Sequence, residues 1–238
     1  MIISIPWGLS GGGKVGTFAL FGGSGSTTSV YTYSSNTAVA GGNLSYAANE
    51  LAAAGNSTVG VFGGGSGSSI TSVYTYSSNT AVAGGNLSYV TNALAAAGNS
   101  TVGVFGGGVG PVSTTSVYTY SSNTAVAGGN LSYAANALAA AGNSTVGVFG
   151  GGSGSSITSV YTYSSNTAVA GGNLSYAAYE LAAAGNSTVG VFGGGYNGAA
   201  LSTTSVYTYS SNTAVAGGNL SYAAYTLAAC APNPRVNC

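Results

Sequence analysis

The chain has 238 residues, 45% apolar and only 2% charged; the charges are Lys14, Glu50, Glu180 and Arg235, and there is no Asp or His. One Lys and one Arg cannot form the basic footprint that nucleic acid requires, and no imidazole is present to activate a nucleophile or ligate zinc. A soluble domain ordinarily carries about a quarter of its residues as charges, so hydroxyl, amide and backbone groups must wet this surface, and little repulsion keeps copies apart.

The opening Met1-Ile2-Ile3-Ser4-Ile5-Pro6-Trp7 lacks the basic start and long apolar stretch of a secretory leader. Either a leader has been removed or none was used. No apolar run approaches the roughly 20 residues of a membrane helix, because Gly, Ser, Asn or Thr interrupts each one. The first predicted strand is Val15-Gly16-Thr17-Phe18-Ala19-Leu20-Phe21, followed by Gly22-Gly23.

From there one unit repeats. Its Val-Tyr-Thr-Tyr core begins at Val30, Val73, Val117, Val160 and Val206, at spacings of 43, 44, 43 and 46. From each of the first four valines to the Phe of the next Val-Gly-Val-Phe-Gly-Gly (Phe62, Phe105, Phe149, Phe192) the distance is always 32. All length variation therefore falls in one loop after the glycines, the signature of a fixed framework displaying a variable face. Each unit divides into four short apolar segments; in the second they are about 50–55, 58–63, 71–77 and 80–84, with tight turns at Gly55-Asn56-Ser57 and Ser77-Ser78-Asn79. Period-2 geometry puts Tyr74 and Tyr76 on one face and Val73 and Thr75 on the other, which suits a sheet packed between two neighbours.

These features predict a single all-β domain over 1–238: a five-bladed β-propeller with a repeat framework of about 15–230 and a tail of 231–238. The last unit stops where its Phe strand should follow, while the first strand is an orphan copy of that element. The expected closure pairs the N-terminal strands with a C-terminal innermost strand, Thr226 to Cys230, since an open array would leave unpaired edges. Five blades leave a narrow axis, and the small Leu-Ala-Ala-Ala-Gly segments predict a slim, weakly polar axial pocket.

The Gly63-Gly64 doublet and its copies, with Tyr33, Tyr76, Tyr120, Tyr163 and Tyr209, resemble the Kelch repeat, a four-stranded blade carrying a Gly-Gly doublet and a third-strand Tyr. A Kelch blade has Trp seven residues after that Tyr; here Ala40, Ala83, Ala127, Ala170 and Ala216 stand. The usual charged residues near the doublet are also missing. The resemblance implies a propeller; propellers host many activities, so it implies little about function.

Glu50 and Glu180, the only side-chain carboxylates, occupy the same repeat position as Ala93, Ala137 and Thr226. As a pair they would suit glycosidase-type chemistry, but a blade lies between them in a five-membered ring, and they read as polar residues at the channel mouth. The glycines lack the Lys and following helix of a phosphate loop. No catalytic, cofactor or metal residues are assigned. Cys230 and Cys238 flank Pro232 and Pro234, and a disulfide between them would point to an oxidising compartment.

Candidate glycosylation acceptors fall in two sets: Asn43, Asn86, Asn130, Asn173 and Asn219 (Asn-Leu-Ser) on the variable-loop face, and Asn56, Asn99, Asn143 and Asn186 (Asn-Ser-Thr) on the opposite one. Asn is equally good turn chemistry. Fifteen of the 18 tyrosines are framework positions, leaving Tyr179, Tyr196 and Tyr225 as candidate ligand contacts. Together these features suggest a non-enzymatic extracellular structural or adhesion module on a cell surface, matrix, sheath or virion, with a protein or glycan partner on the loop face and scope for self-assembly. A glycan-binding lectin is the alternative, and an engineered consensus propeller a third reading.

Overall fold

A computed structural model describes residues 3–6, 18–22 and 24–229. Twenty-two strands lie along the described chain, and twenty of them form five four-stranded antiparallel blades. Blade 1 comprises β1 (Ile3–Pro6), β2 (Phe18–Gly22), β4 (Thr28–Thr32) and β5 (Thr37–Ala40). A two-residue pair, β3 (Ser24–Gly25) with β6 (Ala48–Asn49), ties its loop to the start of the next unit. Blade 2 is β7 (Ala52–Gly55), β8 (Val59–Gly63), β9 (Thr71–Thr75) and β10 (Thr80–Ala83). Blades 3 and 4 repeat it as β11 (Ala95–Gly98) to β14 (Thr124–Ala127) and β15 (Ala139–Gly142) to β18 (Thr167–Ala170). Blade 5 is β19 (Ala182–Gly185), β20 (Val189–Gly193), β21 (Thr204–Thr208) and β22 (Thr213–Ala216). The molecule is a five-bladed β-propeller.

Each blade is a meander, and in blades 2 to 5 the innermost strand is Ala-Ala-Ala-Gly, small enough for inner strands to crowd the axis. The Ser-Ser-Asn-Thr turn between third and fourth strands closes through Asn79 and its copies, which adopt left-handed backbone (φ 55° at Asn79) and accept the hydroxyl of Tyr74 and its copies. Asn tolerates that conformation better than other non-glycine residues.

The apolar core lies between blades, one cluster to each of the first four seams. Between blades 2 and 3, for example, Val61 and Leu87 meet Phe105 and Tyr118, all buried. In blades 2 to 5 the second-strand Phe rests on a glycine of the blade before it. A Cβ on Gly63 would come 3.1 Å from Phe105, and one on Gly106 3.2 Å from Phe149. Ser45 N–H donates to Ser72 Oγ, and Tyr46, Tyr89, Tyr133 and Tyr176 donate their hydroxyls to Gly64, Gly107, Gly151 and Gly194 carbonyls, each at 2.9 Å. These bonds latch every one of the four seams.

The closing strand departs from the sequence expectation. The innermost position of blade 1 is held by β1, which pairs with β2 in the register Ile3↔Gly22 to Pro6↔Ala19. Ile3–Pro6 thus fills the slot that the repeat count predicts for Thr226–Cys230. Thr226 to Ala229 form no strand, and among the described residues no ladder joins the two ends of the chain. Cys230 and Cys238, with their proposed disulfide, lie outside the described residues.

Candidate functional site at the loop mouth

Hairpin connectivity places the variable loops (64–70, 107–114, 151–157 and 194–203) and the entries to the inner strands at one end of the propeller. The inner strands of blades 2 to 5 are each entered through a residue with left-handed backbone, Glu50 (φ 58°), Ala93 (52°), Ala137 (51°) and Glu180 (55°), and Thr226 (54°) holds the same repeat position after blade 5. Their backbones run around the axis in series. Ala93 N–H donates to Glu50 O at 3.1 Å, Ala137 N–H to Ala93 O at 2.9 Å, and Glu180 N–H to Ala137 O at 2.9 Å. Such backbone is uncommon outside glycine, but its recurrence at all five positions makes it part of the architecture.

This ring encloses a pocket of about 110 Å³ lined by Glu50, Ala93, Leu94, Ala137, Leu138, Glu180 and Thr226. The pocket is slim, as the alanine-rich inner strands predict, and the two carboxylates share it although their blades are not adjacent. Glu50 also accepts a hydrogen bond from the Asn92 side chain. No group of three or more His, Cys, Asp or Glu occurs among the described residues. The carboxylates are acceptors for hydroxyl or amide donors.

The residue preceding each ring position forms an outer tier that reads Asn49, Asn92, Asn136, Tyr179 and Tyr225. The variable loops dock on its carbonyls, with Ser66, Val109 and Ser153 N–H donating to Asn49, Asn92 and Asn136 O at 3.0 Å and Tyr196 N–H to Tyr179 O at 2.9 Å. The three asparagines do not stand out in the sequence, because they are the common state of the repeat. Reading that column across the five units exposes them and shows amide giving way to tyrosine.

The three extra tyrosines come together over blade 5. Tyr179 and Tyr196 exchange two backbone hydrogen bonds of 2.9 Å, and Tyr196 meets Tyr225 edge-on with ring centroids 5.6 Å apart. The Tyr179 ring lies over Gly154, where an added Cβ would meet it at 2.9 Å. All three remain exposed, at 40%, 42% and 50%. Aromatic faces therefore stand beside Glu180 and Thr226 on one side of the mouth, and amides beside Glu50 on the other.

The two sets of Asn-x-Ser/Thr sites differ in their surroundings. Asn56, Asn99 and Asn143 are structural: Asn56 Oδ1 accepts from the amides of Thr58 (2.9 Å) and Val59 (3.1 Å), while its Nδ2 donates to Ser100 O of the next blade at 3.2 Å. Asn99 and Asn143 repeat that bond to Ser144 O and Ser187 O. Asn186 keeps the turn contacts and is exposed. Asn43, Asn86, Asn130, Asn173 and Asn219 are exposed near the loop face.

No protein-family model and no curated protein matches this sequence. Among solved structures, the one titled "Structure of YjhT" matches with a TM-score of 0.72. The propeller fold is shared. The match covers 90% of this chain and 84% of that one at 11% identity, a likeness that extends to the fold alone.

Proposed function

We propose that this chain is a non-enzymatic, surface-displayed adhesion module that binds glycan at the loop mouth, built on Kelch-like blades. The observation that carries this reading is the convergence of Tyr179, Tyr196 and Tyr225 with Glu180 and Thr226 at one rim of the small axial pocket. Exposed tyrosine rings offer flat apolar faces to the C–H face of a sugar ring, while carboxylate, hydroxyl and amide groups accept or donate to its hydroxyls. Hydrolysis is disfavoured by inventory. The two glutamates have no histidine, aspartate or metal cluster beside them among the described residues, and Glu50 is engaged by Asn92. A surface nearly free of charge and exposed Asn-Leu-Ser sites suit an extracellular setting, and a Cys230–Cys238 disulfide would accord with it.

The test is a glycan array followed by calorimetry on the best binder. Binding at millimolar or tighter Kd that falls at least tenfold in Tyr196→Ala and Tyr225→Ala supports the assignment. Absence of any glycan binding, or binding indifferent to both substitutions, defeats it. Turnover in a hydrolase screen that Glu50→Gln or Glu180→Gln abolishes would replace binding with catalysis.

A further inference from the structure

The fifth seam, between blade 5 and blade 1, has both halves of the interlock but does not join them. At the other seams the second-strand glycine carries the next blade's Phe. A Cβ on Gly193, the blade 5 counterpart, would meet only Thr204 and Leu220 of its own blade. Gly85 and Gly172 lie so close to the next blade that a Cβ would come 2.5 Å from the Asn123 or Asn212 carbonyl, whereas a Cβ on Gly218 would meet none of the described residues within 4 Å. Val191 is 39% exposed where Val61, Val104 and Val148 are fully buried, and Leu220 is half-buried where Leu44, Leu87, Leu131 and Leu174 are buried. On blade 1, Phe21 and Tyr31 are half-buried, whereas Phe62 and Tyr74 and their copies are buried. The buried clusters number four among the described residues, and none spans this seam.

We infer that this surface binds a second copy of the chain head to tail, blade 1 of one copy seating on blade 5 of the next. Every copy carries both halves, and the chain already builds this interlock four times from the same residue types. The blade 5 socket is the glycine and leucine face of Gly193, Gly218 and Leu220; the blade 1 knob is Phe21, Ser29 and Tyr31. No charged residue stands among them, so association meets no like-charge repulsion and no charge must be desolvated. An interface made of two different patches repeats from copy to copy, giving a ring where the rotation closes and a filament where it does not. The alternative occupant is the chain's own first blade, swung round to close the ring.

Two variants of the full chain separate these outcomes. Gly218→Trp adds a side chain where the single chain has open space and obstructs the socket. Phe21→Asp spoils the knob, and Ser29→Arg does so at the strand surface should Phe21→Asp fail to fold by circular dichroism. In sedimentation equilibrium the parent is expected to rise with concentration from the 22.7 kDa single-chain mass to dimers and beyond. Each variant alone should stay at that mass. An equimolar mixture should stop at twice it, because one intact knob meets one intact socket and the pair is capped. A parent that keeps the single-chain mass at every concentration overturns the proposal in favour of self-closure. Variants that assemble like the parent overturn it in favour of another surface, such as the outer strands.

Discussion

Gly85 and Gly218 hold the same position in their repeats, yet one is clamped against the next blade and the other faces open space. The seam between blades 2 and 3 is filled by Phe105 and Tyr118 and latched by Tyr89; the seam after blade 5 has the same residue types and none of these contacts among the described residues. Identical sequence therefore does not produce identical burial. A seam's energy comes from apolar area removed from water by a neighbour, and a residue contributes it only where that neighbour is present.

Alkali should produce the largest effect, by making the latched seams resemble the open one. Burial pushes the hydroxyl of Tyr176 up to about 12 and those of Tyr46, Tyr89 and Tyr133 higher still, above the ordinary value near 10. Unfolded tyrosines lose their protons first, so the unfolded chain binds fewer protons than the folded one above pH about 10. The latches' contribution is thus fully present below that pH and is lost as pH rises through the folded values. Urea unfolding followed with tyrosinate absorbance should show a flat midpoint through the neutral range and a steep fall above pH about 10. A midpoint unchanged to pH about 12 would mean that these hydroxyls do not hold the seams.

Truncation tests the same contrast at the aromatic plugs. Phe105→Ala empties a fully buried site and should cost about 3–5 kcal/mol. Phe21→Ala, half-buried beside the open seam, should cost less than about 2 kcal/mol. Equal losses in chemical denaturation would show that blade 1 is packed as tightly as blade 3. A smaller effect is expected at the glycines. Gly85→Ala drives a methyl to within 2.5 Å of the Asn123 carbonyl and should cost about 1–3 kcal/mol, whereas Gly218→Ala should change stability by no more than about 0.5 kcal/mol. Matching shifts in melting temperature would contradict the open seam.

The smallest expected difference lies within one interlocked strand. Tyr118 donates to Asn123, so Tyr118→Phe should cost about 0.5–1.5 kcal/mol. Tyr120 buries a hydroxyl with no partner among the described residues, close to Gly98 and Gly103, so Tyr120→Phe should be neutral or slightly stabilising. A clear loss at Tyr120 would reveal a bound water or another acceptor satisfying that group.

Repetition alone was enough to read the blade count, the four-strand order, the turn positions and the loop face, because period-2 patterning and turn residues act over a few neighbours and recur five times. The three surplus tyrosines were legible for the same reason, as departures from a column that is otherwise constant. Their edge-on packing, the pocket shared by Glu50 and Glu180, and the amide tier of Asn49, Asn92 and Asn136 required the ring's three-dimensional closeness, since these groups lie a blade or more apart in sequence. Closure illustrates the limit most plainly. Counting repeats put Thr226–Cys230 in the innermost slot of blade 1, and Ile3–Pro6 occupies it, because a weakly patterned segment tethered next to an open ladder competes well against one that must return from the far end of the chain. Local patterning determined what each blade is made of; only the packing of whole blades decided which strand completes the first and which seam is left without a neighbour, since both depend on burial between segments far apart in the chain.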